Sequence, residues 1–192
     1  MELRVSDKQL RGFLDLIEYY RANIPNIQNI VEVGVYAGEA SVLLAKAFPN
    51  AKIWCVDPWN DMDLDVYAET EMGVNRDYIP TDAEERFDEN TKDFPNIVKL
   101  KETSAAASRG FGTQSLDIVY IDAIHTYEYV KEDMKLWSEK LARPGIISGH
   151  DYVNKWHGVK QAVWEFCADS HPDKVFKDSS WAYLANRGVI ND

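Results

Sequence analysis

Cysteine is nearly absent from this chain of 192 residues: only Cys55 and Cys167 occur. Both lie in apolar surroundings and far apart in sequence. They are expected to be reduced core residues of a cytoplasmic protein, not a disulfide or a two-cysteine metal site. Long apolar runs are also lacking. Nothing approaches the ~20 residues of a bilayer span, and Met1-Glu2-Leu3-Arg4 has no secretory character, so no membrane association is expected. Positive charge is short as well, with 21 Lys and Arg against 32 Asp and Glu and a formal net charge of -11. Such a chain gains nothing from releasing counterions on a phosphate backbone, which argues against nucleic acid as a partner and for a small molecule. Repeats, low-complexity tracts and linker-like stretches are missing, so residues 1–192 read as one domain. No Lys-Ser or Lys-Thr follows a glycine run, which excludes a P-loop, and G-x-G-x-x-G is absent.

What is present is Val31-Glu32-Val33-Gly34-Val35-Tyr36-Ala37-Gly38, then a second apolar run ending in Val56-Asp57. This reads as strand, glycine turn, helix, strand, acid, the layout of a site for an adenosine-containing cofactor. Gly34 and Gly38 let the backbone turn and approach a ligand. Asp57 stands where a carboxylate accepts hydrogen bonds from ribose hydroxyls. Glu32 would repel a pyrophosphate and favour a cation, such as the amino group of a methionine moiety. The loop therefore suits S-adenosylmethionine better than NAD. A bare α/β turn without cofactor is the plainer alternative, because G-x-x-x-G alone is weak.

Along the chain, Ser6-Asp7-Lys8-Gln9 forms a capping box for a first helix within residues 1–27. Strands are expected at 30–33, 53–56, 97–100, 116–121 and 146–148, with an antiparallel closing pair at 175–176 and 181–184. Helices are expected at 40–48, at 81–94 behind a Thr81-Asp82-Ala83-Glu84 capping box, at 127–141 and at 158–168, with a short helix or turn at 104–111. Strands alternating with helices predict an α/β fold, a Rossmann-like doubly wound seven-stranded sheet, mostly parallel with an antiparallel C-terminal strand. Residues 58–80 are acidic and aromatic without a period. They read as a lid over the pocket, or as a solvated loop. An aromatic lid can also pack on a second subunit, so a homo-oligomer is compatible with it.

Ligands in such sheets bind beyond the carboxyl ends of the strands. Those ends carry Glu32, Asp57, Glu102-Thr103-Ser104, Asp122 and His150-Asp151. Asp122, His150 and Asp151 form a candidate site for Mg2+ or Mn2+, with the imidazole tilting the choice toward Mn2+ or Fe2+. A hydrogen-bonded turn is the plainer reading of His150-Asp151. His125 is the candidate catalytic base, since an imidazole titrates near neutrality; a helix cap is its alternative. Ser104 is placed at the adenine edge or at a helix N-cap, and Trp59 is placed to stack on adenine. Tyr36 and Asp122 join the candidate cofactor contacts. Trp54, Trp137 and Trp164 are expected in the core, His157 and His171 on the surface.

Taken together, Val31 to Gly38 resembles motif I of class I S-adenosylmethionine-dependent methyltransferases, with Asp57 at the ribose-binding acid. Ile121-Asp122-Ala123-Ile124-His125-Thr126-Tyr127-Glu128 and Gly149-His150-Asp151-Tyr152 resemble the branch of macrocin- and mycinamicin-type sugar O-methyltransferases and cephalosporin hydroxylase-like proteins. The resemblance covers residues 28 to 186. It implies a cofactor over Gly34 to Gly38, a metal at Asp122 and Asp151, and a base at His125. This chain departs from the pattern at His150, where the sugar enzymes carry an acid, and at Tyr36, where many methyltransferases carry glycine. The expected activity is metal-assisted O-methyl transfer to a small hydroxylated acceptor, a sugar being one candidate. A non-catalytic cofactor-binding scaffold, an NAD-dependent oxidoreductase, and a hydroxylase or hydrolase using the same pocket are the rival readings.

Overall fold

A computed structural model describes residues 6–59, 82–168 and 170–185. The chain opens with helix α1 (Asp7–Asn23), started by the expected box: the Gln9 N–H donates to Ser6 Oγ at 3.3 Å and the Ser6 N–H to Gln9 Oε1 at 3.0 Å. Its buried stripe is Phe13, Leu16, Ile17 and Tyr20. The elements β1 (Asn29–Val33), α2 (Glu39–Ala47), β2 (Lys52–Val56), α3 (Ala83–Thr91), β3 (Ile97–Leu100), α4 (Ser104–Ser108) and β4 (Leu116–Ile121) follow. After them come α5 (Tyr127–Ser138), β5 (Leu141–Gly149), α6 (His157–Phe166), β6 (Lys174–Val175) and β7 (Trp181–Ala185).

The seven strands lie in the order β3-β2-β1-β4-β5-β7-β6, and β7 runs antiparallel to both neighbours. The expected mixed sheet is therefore found. Its central strands are apolar on both faces because helices cover both. One layer joins Phe13, Leu44 and Phe87 to Ile53 and Tyr120; the other joins Met134, Trp137 and Val163 to Val119 and Ile147. Strand order reverses between β1 and β4, so their carboxyl ends, Val33 and Ile121, flank the crevice where ligands of such sheets lie.

Two boundaries differ from expectation. α5 stops at Ser138 and β5 begins at Leu141, running through Pro144. The ladder between β4 and β5 shifts register between Leu116 and Ile118, so residues 142–145 face a single residue and Pro144 owes no ladder N–H there. α3 starts at Ala83, and the Asp82 side chain makes no capping bond. Thr81 and the expected lid from 60 onward lie outside the described residues. Among the described residues no helix is long and apolar enough to cross a membrane.

Candidate functional site

The turn leaving β1 is held from one side by Asp57. Its Oδ2 accepts from the N–H groups of Val35 (2.8 Å) and Tyr36 (2.9 Å), and its Oδ1 from that of Trp59 (2.7 Å). A carboxylate offers about four lone-pair sites. Three are taken by the chain itself, so room is left for about one outside donor. Gly34 and Gly38 have φ of 84° and 82°. A Cβ at Gly34 would stand 2.3 Å from the Asp122 carbonyl oxygen, and one at Gly38 would stand 2.8 Å from the Phe87 ring. Both glycines are thus demanded by the fold before any ligand arrives. Tyr36 also has a positive φ, 55°, and its exposed ring lies under the Arg86 guanidinium. α2 begins at this loop with Glu39 in its first turn, an acid where a pyrophosphate would need the positive helix end.

Glu32 sits at the bottom of the crevice, 2% exposed, accepting from Ser41 Oγ at 2.5 Å. Burial pushes its carboxyl up to about 8, against the pull of the Ser41 bond and with help from Asp122, Asp57 and Glu39. It forms part of the wall of a cavity of about 280 Å³ that also touches Phe13, Tyr36, Tyr120, Asp122, His150 and Asp178.

Beyond β4, Asp122 and His125 meet Asp151 from the end of β5. One ligand atom from each lies within 4.8 Å of the others. His125 Nε2 is 3.0 Å from Asp151 Oδ2 and 3.5 Å from Asp122 Oδ1. Neither contact runs along a ring N–H, so both buried nitrogens of His125 lack a hydrogen-bond partner among the described residues. The ring is fixed by stacking on Trp156, with centroids 4.6 Å apart. Gly158 lets α6 approach: a Cβ there would lie 2.6 Å from the His125 carbonyl. Two carboxylates and an orphaned imidazole nitrogen in this spread fit a divalent cation with O and N donors.

The structure therefore groups His125 with Asp122 and Asp151, where the sequence pattern pointed to His150. His150 stands beside this group, with Nδ1 3.4 Å from Asp151 Oδ1 and Nε2 4.0 Å from Asp178 Oδ2, on the cavity wall. Burial lowers both imidazoles, but the surrounding carboxylates outweigh it and push each up to about 9. Asp151 is held well below the usual carboxylate range: its burial is outweighed by His125 and His150.

Other expected site residues turn elsewhere. The Ser104 hydroxyl donates to Asp133 and accepts from Trp137 Nε1 at 2.8 Å, while Thr103 is the N-cap of α4. Trp59 is buried against Phe87, with ring centroids 5.1 Å apart, and its Nε1 donates to the Tyr36 carbonyl at 2.8 Å. It supports the loop from below instead of presenting a free face. Trp137 is fully buried and Trp54 half-buried, but Trp164, expected in the core, is 38% exposed. His157 and His171 are exposed as expected.

Asp178 and Tyr120 escaped the sequence reading. Asp178 lies between two short strands and looks like an ordinary turn residue; its Oδ1 indeed accepts from the Ser180 N–H at 3.1 Å. The available signal was Gly12, an isolated glycine in a helical pattern. A Cβ there would stand 2.3 Å from the Asp178 carboxyl.

The buried acids set a pH dependence. Glu32 is raised to about 8, and Asp133 to about 7, by burial. A carboxyl raised on folding stabilises most below its unfolded pKa, and that contribution is lost as pH rises through the folded value. The two raised imidazoles act in the same direction between their ordinary value and about 9. The melting temperature of the ligand-free protein should fall steadily from pH 5 to pH 9. Glu32→Gln, which keeps an acceptor for Ser41, should flatten that slope in melts followed by circular dichroism; an unchanged slope would show that Glu32 ionises freely.

Comparison with known proteins bears on this geometry. The methyltransferase-domain pattern matches residues 31–152, from β1 through Asp151. A protein of Sinorhizobium fredii, y4gI, is 25% identical over 151 residues, covering 74% of this chain; the chain spans only 15% of that protein's length. Among solved structures, the O-methyltransferase NovP superposes with a TM-score of 0.69 at 20% identity, covering 94% of this chain and 80% of its own. CalS11, a TDP-rhamnose 3'-O-methyltransferase of calicheamicin biosynthesis, superposes at 0.63 with 16% identity, covering 93% and 80%. At such identities these structures establish the fold.

Proposed function

Since the chain belongs to the methyltransferase-domain family, we propose that it transfers the methyl group of S-adenosylmethionine to a hydroxyl oxygen of a small acceptor. The observation that carries this reading is a cavity lined both by Gly34, Val35 and Tyr36 of the Asp57-clasped loop and by Asp122, the member of the Asp122–His125–Asp151 group that reaches it. The cofactor supplies an already activated methyl group on its sulfonium, so the protein's task is alignment. Gly34 to Gly38 would carry it, with Asp57 giving its last acceptor site to a ribose hydroxyl. Glu32, uncharged while the crevice is empty of cations, becomes an anion partner for the methionine amino group. Asp122, His125 and Asp151 would hold a divalent cation, which supplies Lewis-acid stabilisation of a deprotonated hydroxyl. His150 faces the cavity and would be the group placed to take the acceptor's proton, in the role first assigned to His125.

Calorimetric titration separates these roles. The wild type should bind S-adenosylmethionine at micromolar strength and NADH not at all. Asp57→Ala, which frees three loop N–H groups, should weaken that binding by at least about tenfold. His125→Ala should lose Mn2+ binding, whereas His150→Ala should keep Mn2+ and lose turnover. Absence of cofactor binding with and without Mn2+ would sink the methyl-transfer reading, and NADH binding would favour the oxidoreductase.

A further inference from the structure

We propose that Trp156 is the positioning residue of the cation site: its indole holds His125 in the pose that turns Nε2 toward Asp122 and Asp151. This inference rests on the cation part of the methyl-transfer reading. An imidazole that ligates a metal is ordinarily oriented through its second nitrogen, whose N–H donates to a carboxylate or a backbone carbonyl. His125 departs from that pattern. Its Nε2 is the nitrogen directed at the two acids, 3.0 Å from Asp151 Oδ2 and 3.5 Å from Asp122 Oδ1. Its Nδ1 is buried and has no hydrogen-bond partner among the described residues. The rotation of the ring is therefore not fixed by a polar contact on that side.

The indole is in place to fix it. The two rings are stacked, their planes 22° apart and their centroids 4.6 Å apart. A turn of the imidazole about its Cβ–Cγ bond drives its edge into the face of Trp156, which is a steric stop that needs no hydrogen bond. Trp156 is itself anchored at both ends of its backbone. Its N–H donates to the Val153 carbonyl at 3.1 Å, and its carbonyl accepts from the Lys160 N–H at 3.2 Å. Its ring packs against the buried layer that holds Val159 and Val163. Gly158 brings the start of α6 close enough for the stack to form: a Cβ there would lie 2.5 Å from the Tyr127 nitrogen and 2.6 Å from the His125 carbonyl oxygen.

The test is electron spin echo spectroscopy of Mn2+ bound to the full chain, which detects a directly coordinated nitrogen, together with titration for affinity. The wild type should show the nitrogen coupling, and His150→Ala should keep it. Trp156→Leu retains an apolar side chain without a flat face. It should weaken Mn2+ binding about tenfold or more and lose most of the coupling, with the two carboxylates alone left to hold the ion. Trp156→Phe puts back a ring that can stack and should return both affinity and coupling toward the wild type. A role confined to packing α6 would change the melting temperature and leave the coupling intact. Equal coupling and affinity in Trp156→Leu and the wild type would overturn the proposal. A second measurement needs no variant. The indole ring current displaces the His125 ring protons upfield, and that displacement should persist in the wild type loaded with Zn2+. Its loss on loading would mean that the imidazole leaves Trp156 to reach the ion, which would also overturn the proposal. Failure of the wild type to bind Mn2+, or a coupling that disappears in His150→Ala, would instead count against the cation site itself.

Discussion

Gly34→Ala should cost the protein about 3 kcal/mol or more and eliminate cofactor binding with it. The added Cβ would stand 2.3 Å from the Asp122 carbonyl oxygen and 2.6 Å from Ala123 Cα. Those are backbone atoms, so no rotamer change relieves the clash. A φ of 84° adds its own penalty, about 1–2 kcal/mol for any residue with a Cβ. Relief requires the ends of β1 and β4 to part, which pulls on the Asp122 N–H to Val33 carbonyl bond of 2.8 Å. Asp122 then leaves the group it forms with His125 and Asp151, so one methyl group strikes the loop and the proposed cation site together. For a chain of this size the melting temperature should drop by about 6–12 °C. Gly112→Ala is the control: a Cβ there meets nothing within 4 Å, and its melt should match the wild type. A stable Gly34→Ala protein with full affinity would mean that the two strand ends are not in contact.

Asp151→Asn should cut Mn2+ affinity and turnover by at least about 100-fold while leaving the fold intact. Asp151 adopts a left-handed φ of 59°, a conformation that Asn accepts as readily as Asp. The substitution therefore removes charge without backbone strain. It also removes the carboxylate shared by the two imidazoles, 3.0 Å from His125 Nε2 and 3.4 Å from His150 Nδ1. Both should then titrate nearer their ordinary value, visible as shifted imidazole resonances in the metal-free protein. Mn2+ titration followed by electron paramagnetic resonance gives the affinity directly. Equal affinity in wild type and variant would remove the cation assignment.

The sheet was legible because buried strands such as Ile30–Val33 and Ile118–Ile121 read as continuous apolar runs, and the capping box at Ser6 and Gln9 announced α1. The glycine loop and the converging strand ends were legible for the same reason: chain topology sends every parallel strand to one edge. Side-chain direction at that edge was not. His125 and His150 each lie within four residues of a strand end, and only the turn at Asp151 and the stacking on Trp156 decide which one meets the acid pair. Ser104 and Trp59 carry the right chemistry but spend it inward, on Asp133 and Trp137 in one case and on the Tyr36 carbonyl in the other. β5 was read short because Pro144 looked like a helix stop, when a register shift had already excused it from the ladder. Asp178 was hidden because its contact with Gly12 spans nearly the whole sequence.

That last contact also bears on the order of assembly. The cavity wall joins Phe13, near the start of the chain, to Asp178, between β6 and β7. β7 docks beside β5 only through antiparallel pairing, Gly149 opposite Trp181. Contacts between residues so far apart close a loop of most of the chain and carry a correspondingly high entropic cost. A nascent chain still holding the β6–β7 hairpin inside the ribosome can form the glycine loop and its Asp57 clasp, but not the closed cavity. In the finished protein, a molecule lodged between Phe13 and Asp178 ties the two ends of the chain together.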